Sequence, residues 1–131
     1  MKAQLILENG TRFTGEMFGD CKNIVGEIVF TTNMTGYQET LTDPSYCGQI
    51  VVMTFPLIGN YGINLDDGEA EHTNLKGFVV REKCEFPSNF RNEMNLDDYL
   101  KDEGVVGFEG LDTRALTRII REYGCMNAVI I

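Results

Sequence analysis

Alternating apolar and polar positions open the chain. Lys2 to Glu8 and Thr11 to Phe18 alternate on either side of Asn9-Gly10. This pattern predicts a β-hairpin, because Asn and Gly both tolerate the positive φ of a type I′ turn. Ile24 to Thr32 is too continuously apolar for a one-faced strand (Val25, Ile28, Val29, Phe30), so it predicts a strand lying centrally in a sheet. Gln49 to Phe55 has the same character and stops at Pro56, which has no N–H for the ladder. Gly77 to Arg81 and Val105 to Phe108 predict two further short strands. Met126 to Ile131 predicts a last one, whose aliphatic end implies burial and suggests a piece of a longer protein. Pro56 to Asn74 is rich in Gly, Asn and Asp and predicts a long loop, and Pro87 to Asn92 a turn.

Two stretches carry helical periodicity. Leu96 to Glu103 predicts a helix capped by Asn95 and ended by Gly104, with Asp97 and Asp98 in the first turn, where the helix dipole favours negative charge. A stronger helix over 113–123 follows Asp112 as N-cap, with Leu116, Ile119, Ile120 and Tyr123 on one apolar face and Gly124 as a left-handed C-cap. Its other side carries Arg114, Arg118 and Arg121. Two readings stand for these cations: a solvated face whose last arginines suit the helix C-terminus, or a docking surface for an acidic partner. The strands and helices together predict an α/β fold, β-rich with two main helices.

Composition narrows the function classes. With 131 residues the chain is expected to be one domain whose core needs no staples. Hydrophobic residues make up 43% and charged residues 24%, the balance of a soluble globular protein. No apolar run reaches the length of a membrane span, and no signal-peptide pattern follows Met1, so a cytoplasmic location is the expectation. Twenty acidic residues against eleven basic give a net charge of −9, which disfavours nucleic acid and anionic membrane as partners.

The four cysteines, Cys21, Cys47, Cys84 and Cys125, show no metal-ligand spacing. They could form two disulfides, but reduced, small buried thiols are expected of an intracellular chain. The single histidine, His72, sits in the acidic run Asp66 to Glu71. A Cys47–His72 hydrolase is the weakest reading.

Phosphate-binding glycine loops, nucleophile elbows and zinc-protease motifs are all missing from the sequence. What remains is the polar stretch from Gly26 to Gln49, with Thr31, Thr32, Asn33, Thr35, Tyr37, Gln38, Thr42 and Ser45. Such groups orient polar ligands but do not cleave them unaided. In Asp43-Pro44-Ser45-Tyr46 an extended residue before the proline and a turn after it would hold the Ser45 hydroxyl and N–H outward at a strand entrance. The alternative is that Asp43 and Ser45 only close an Asx-type turn.

These same residues carry a resemblance. The blocks Gly26 to Glu39 (GEIVFTTNMTGYQE), Leu41 to Tyr46 (LTDPSY), Phe55 to Gly62 (FPLIGNYG), Ser88 to Arg91 (SNFR) and Gly110 to Arg118 (GLDTRALTR) resemble, in order and over nearly the whole chain, the N-terminal domain of the small subunit of glutamine-dependent carbamoyl phosphate synthetase. The resemblance implies a layered β/β/α swivelling-type domain that braces a C-terminal glutaminase domain and contacts a large subunit. That glutaminase, with a Cys-His-Glu constellation, releases ammonia from L-glutamine. The large subunit uses the ammonia, with ATP and Mg, to make carbamoyl phosphate for arginine and pyrimidine synthesis. The family's glutamine-binding serine falls on Ser45. None of the four cysteines here lies in the family's nucleophile elbow, so the chain by itself is expected to contain no catalytic residue and no cofactor site, and to hydrolyse no glutamine. A stand-alone binding or scaffold module of the same fold is the competing reading, and the reading frame beyond Ile131 separates the two.

Overall fold

The opening alternation folds into β1 (Lys2–Leu7) and β2 (Arg12–Gly19), paired antiparallel with Leu5 opposite Phe13. The computed structural model describes residues 1–32, 40–41, 43–54, 63–64, 74–82, 93–94 and 96–131. The hairpin turn departs from the expected type I′. No described non-glycine residue has a positive φ, so Asn9 is not left-handed; Gly10 alone takes that role, at φ +93°. The Gly10 N–H donates to the Leu7 carbonyl at 2.8 Å, which gives a three-residue loop with a left-handed glycine at its end. The Asn9 side chain stabilises this form by accepting the Thr11 N–H at 3.0 Å.

Along the chain follow β3 (Ile24–Thr31), β4 (Ile50–Met53), β5 (Ile63–Asn64), β6 (Gly77–Val79), β7 (Glu93–Met94), helix α1 (Leu96–Glu103), β8 (Val106–Glu109), helix α2 (Thr113–Tyr123) and β9 (Met126–Ile130). Seven strands close into a barrel in the order β1-β2-β8-β6-β4-β3-β9, and β9 returns to β1. The pairs β3–β4, β4–β6 and β6–β8 are parallel; the other four are antiparallel. The α/β expectation, β-rich with two main helices, is met. The pairing of β5 with β7 was not expected, since both lie in stretches that read as loop and turn. Two residues are too few to show alternation.

Register sorts the side chains to two faces. Ile28 lies opposite Ile50 and Met126, Val52 opposite Val79, and Phe108 opposite Met17 and Val79. These residues, with Leu5, Leu7 and Ile130, form one buried cluster drawn from all seven strands. Leu116 and Ile120 of α2 join it. The opposite face of the central strands, with Phe18, Val51, Phe78 and Val105, buries Tyr99 and Leu100 of α1 together with Leu41 and Leu75. Burial on both sides is why β4 reads as a continuous apolar run; β3, equally apolar in sequence, is buried only at Ile28 and Thr31 and leaves Val25 exposed.

Both helices keep their expected bounds. Asp112 caps α2 by accepting the N–H groups of Arg114 and Ala115 at 3.0 and 3.1 Å. Gly124 ends it with positive φ, +94°, but ψ −133° places it in a mirror-extended region rather than the left-handed helical one. The apolar face differs from expectation at one end. Tyr123 is exposed and its hydroxyl donates to Glu8 at 3.3 Å, while Thr113 and Thr117 complete the buried face. For α1, Asp97 accepts the Gly19 N–H at 2.6 Å and ties the helix to the end of β2, and Asn95 lies outside the described residues. Among the described residues no helix is long and apolar enough to cross a membrane.

Candidate functional site

The segment 43–49 leads into β4 and is rigid for local reasons. Pro44 fixes its own φ and forces Asp43 to be extended, at φ −74° and ψ 116°. A single 3₁₀ turn, Pro44–Tyr46, follows. The Tyr46 N–H returns to the Asp43 carbonyl at 3.2 Å and the Cys47 N–H to Pro44 at 3.3 Å. Gly48 then takes φ +74°, and its N–H donates to the Asn74 carbonyl at 2.8 Å, which fastens the turn to the approach of β6. Tyr46 packs, half-buried, against the cluster that holds α1.

Two side-chain bonds brace this corner from a distance. Gln49 Nε2 donates to Glu27 Oε1 on β3 at 2.7 Å, and Lys76 Nζ to the Val25 carbonyl at 3.0 Å. Their partners are 22 and 51 residues apart in sequence, so no local signal announces them.

Ser45 is exposed at the outer side of the turn. Its polar hydrogens do not point outward as expected. The N–H and the hydroxyl both donate to Asp43 Oδ1, at 2.9 and 2.8 Å, because the extended Asp43 places its carboxylate over the start of the turn. The Asx-type closure is therefore present, with the Ser45 side chain still open to solvent. The backbone and hydroxyl bonds from Ser45 hold the Asp43 carboxyl below the usual carboxylate range. Such a pair can bind and orient a polar ligand. A carboxylate of lowered pKa is a poor general base, so it does not make Ser45 an activated nucleophile.

The other candidates separate. Thr31 is buried and Thr32 exposed, while Asn33, Thr35, Tyr37, Gln38 and Thr42 lie outside the described residues, as do His72 and Cys84. Cys21, Cys47 and Cys125 are free, but they are exposed rather than buried, since all three fall in connections and none within a strand. Among the described residues no group of three His, Cys, Asp or Glu side chains is placed to hold a metal ion. On α2 the three arginines are exposed, and the Arg121 guanidinium lies 5.5 Å from the centroid of the Phe30 ring. Arg114 and Arg118 make no ion pair among the described residues.

Residues 5–130 match the family of the carbamoyl-phosphate synthase small chain, CPSase domain. The chain is 61% identical over 130 residues to the carbamoyl phosphate synthase small chain of Bacillus caldolyticus, with 99% of this chain and 36% of that protein covered. It is 60% identical over 131 residues to the corresponding small chain of Clostridium perfringens, covering all of this chain and 38% of that one. The chain thus spans about a third of the length of these curated relatives. Among solved structures, an aminopeptidase from Aneurinibacillus sp. strain AM-1 aligns over 98% of this chain and 29% of its own, with a TM-score of 0.52 at 15% identity. That likeness is one of fold alone.

Proposed function

The chain belongs to the carbamoyl-phosphate synthase small chain family, and from that premise we propose that its 131 residues form the N-terminal domain of such a small chain, associating with a large chain and completing a glutamine site. In this reading a glutaminase domain outside these residues releases ammonia from L-glutamine. The large chain consumes the ammonia, with ATP and Mg, in a ligase reaction that makes carbamoyl phosphate for arginine and pyrimidine synthesis. The seven-stranded barrel and its two helices serve as the layered, swivelling-type domain of that subunit, in the cytoplasm. Its own residues contribute binding and architecture, and no catalytic group or cofactor site.

What carries the reading is the match over residues 5–130, which takes in the second half of β1, the six other barrel strands and the turn holding Ser45. Within it Ser45 is the residue that touches glutamine. The exposed hydroxyl on a braced turn supports that role. The test is Ser45→Ala in the full-length small chain assembled with its large chain. Glutamine-dependent activity should fall by about 1 kcal/mol or somewhat more, as for one hydrogen bond to a charged ligand. The loss should be smaller when ammonia replaces glutamine, and equal losses with the two nitrogen donors would contradict the assignment.

A further inference from the structure

One sector of the barrel wall is packed on its inner side only. Successive residues of a strand face opposite ways, so the neighbours of the buried Leu5, Leu7, Ala128 and Ile130 point out of the barrel. Among them Ile6 of β1 and Val129 of β9 lie directly opposite each other. Val129 is in turn opposite Val25 of β3. The result is a row of aliphatic side chains across adjacent strands. Ile131 continues it, since its N–H and carbonyl still pair with Gln4 at 3.0 and 2.8 Å.

Elsewhere the outer face of the barrel is covered by α1 with Leu41 and Leu75. Among the described residues neither buried cluster takes in Ile6, Val25 or Val129. Val25 is 56% exposed and Ile131 46%. An antiparallel sheet that turns one face to water carries polar residues there. A lone exposed aliphatic is ordinary, but several that adjoin mark a surface that binds something. The flanks are polar: Asn127 opposite Glu27 on one side, and Gln4 opposite Thr14 on the other, with Arg12 Nη1 donating to Gln4 at 3.2 Å. An apolar centre with a hydrogen-bonded polar rim is the anatomy of a protein interface.

Charge and tethering decide what covers the row. A second copy would bring another net charge of −9 against this one, and the closed barrel offers it no open strand edge. A separate chain must find the row by diffusion. The rest of the small chain is delivered to it, because the curated relatives are about three times as long as this chain and the bonds to Gln4 hold Ile131 at the row. A region tethered there stands over the row at an effective concentration on the order of millimolar. We propose that the outer face of β1, β9 and β3, centred on Ile6, Val129 and Val25, is the seat of the region that follows Ile131 in the full-length small chain. This rests on the reading of the chain as the N-terminal domain of a longer small chain, and it adds which face of the barrel the rest of that chain covers.

Hydroxyl-radical footprinting read by peptide mass spectrometry tests it on the full-length small chain, free and assembled with its large chain, with the urea-unfolded chain as reference. In the free small chain, oxidation of Val25 and Ile131 should fall about tenfold below the reference, as for side chains in the dry centre of an interface. An uncovered row would be oxidised at roughly half the reference rate, in line with exposures of 56% and 46%. Val25→Asp places an unpaired charge in the contact and should raise oxidation of Val129 and Ile131 several-fold. Position 25 stands clear of both buried clusters, so circular dichroism should show the barrel intact. Protection that appears only on assembly would overturn the proposal and assign the row to the large chain. Protection lost on dilution of the free small chain would assign it to a second copy, and full oxidation in both states would make it bare surface; either overturns the proposal. So would protection of Val129 that Val25→Asp leaves untouched. These results leave the glutamine reading standing, because glutamine-dependent activity and the effect of Ser45→Ala are measured separately on the assembled enzyme. A small chain with no region beyond Ile131 would remove both.

Discussion

A methyl group at position 107 would have no room. Gly107 lies opposite Phe18 across the β2–β8 pair, and a Cβ built there would stand 2.6 Å from two ring carbons of Phe18. Phe18 is itself packed among buried residues, so the ring cannot swing away freely. Gly107→Ala should destabilise the fold by about 1 to 3 kcal/mol, the usual range for overpacking. Urea denaturation measures it, and an unchanged midpoint would mean that the sheet yields locally. Nothing in Val105-Val106-Gly107-Phe108 marks that glycine as a site of close approach, because the ring that fills the space comes from another strand. Ser45 shows the same division. The sequence singled out the residue and even the Asx closure as one of two options, since Asp-Pro-Ser constrains its own backbone. It did not give the direction of the hydroxyl proton, which depends on where the Asp43 carboxylate comes to rest.

At the scale of elements, helices were more legible than turns. The bounds of α1 and α2 follow from caps and periodicity within a dozen residues. The tip of the opening hairpin did not follow, because Asn-Gly suits more than one turn and the pairing register chooses between them. In α1 a buried tyrosine leads to a pH dependence. Burial, and secondarily the charge of Glu103, push the Tyr99 hydroxyl from 10.0 up to about 12. The folded chain thus holds that proton more tightly than the unfolded one. Its contribution to stability is complete below about pH 10 and is lost as the pH rises through about 12. The slope can reach about 1.4 kcal/mol per pH unit. Denaturation midpoints followed across that alkaline window should fall less steeply in Tyr99→Phe than in the unmodified chain. Parallel declines would place the alkaline sensitivity elsewhere.

At the scale of the whole molecule, charge is unevenly placed. In a chain of net charge −9, Arg114 and Arg118 stand exposed on α2 without an ion pair among the described residues, whereas Arg121 rests against Phe30. Against an acidic partner surface, Arg114→Glu together with Arg118→Glu should weaken assembly of the small chain with its partner about tenfold at low ionic strength, and less as salt screens the contact. Sedimentation or titration of the assembly decides it, and unaltered association would make this face merely solvated. The sequence by itself determined the barrel strands and the two helices, the two-sided burial of β4, the capping of α2, the family resemblance and the choice of Ser45. Those rest on local periodicity, on backbone restriction by Pro and Gly, and on the order of motifs. Tertiary structure alone decided that β9 closes the barrel between β1 and β3, that β5 meets β7, and that Gln49 and Lys76 reach back to β3. Each of these is a contact between residues far apart in the chain, and a local pattern of apolar and polar positions carries no information about which distant partner it will meet.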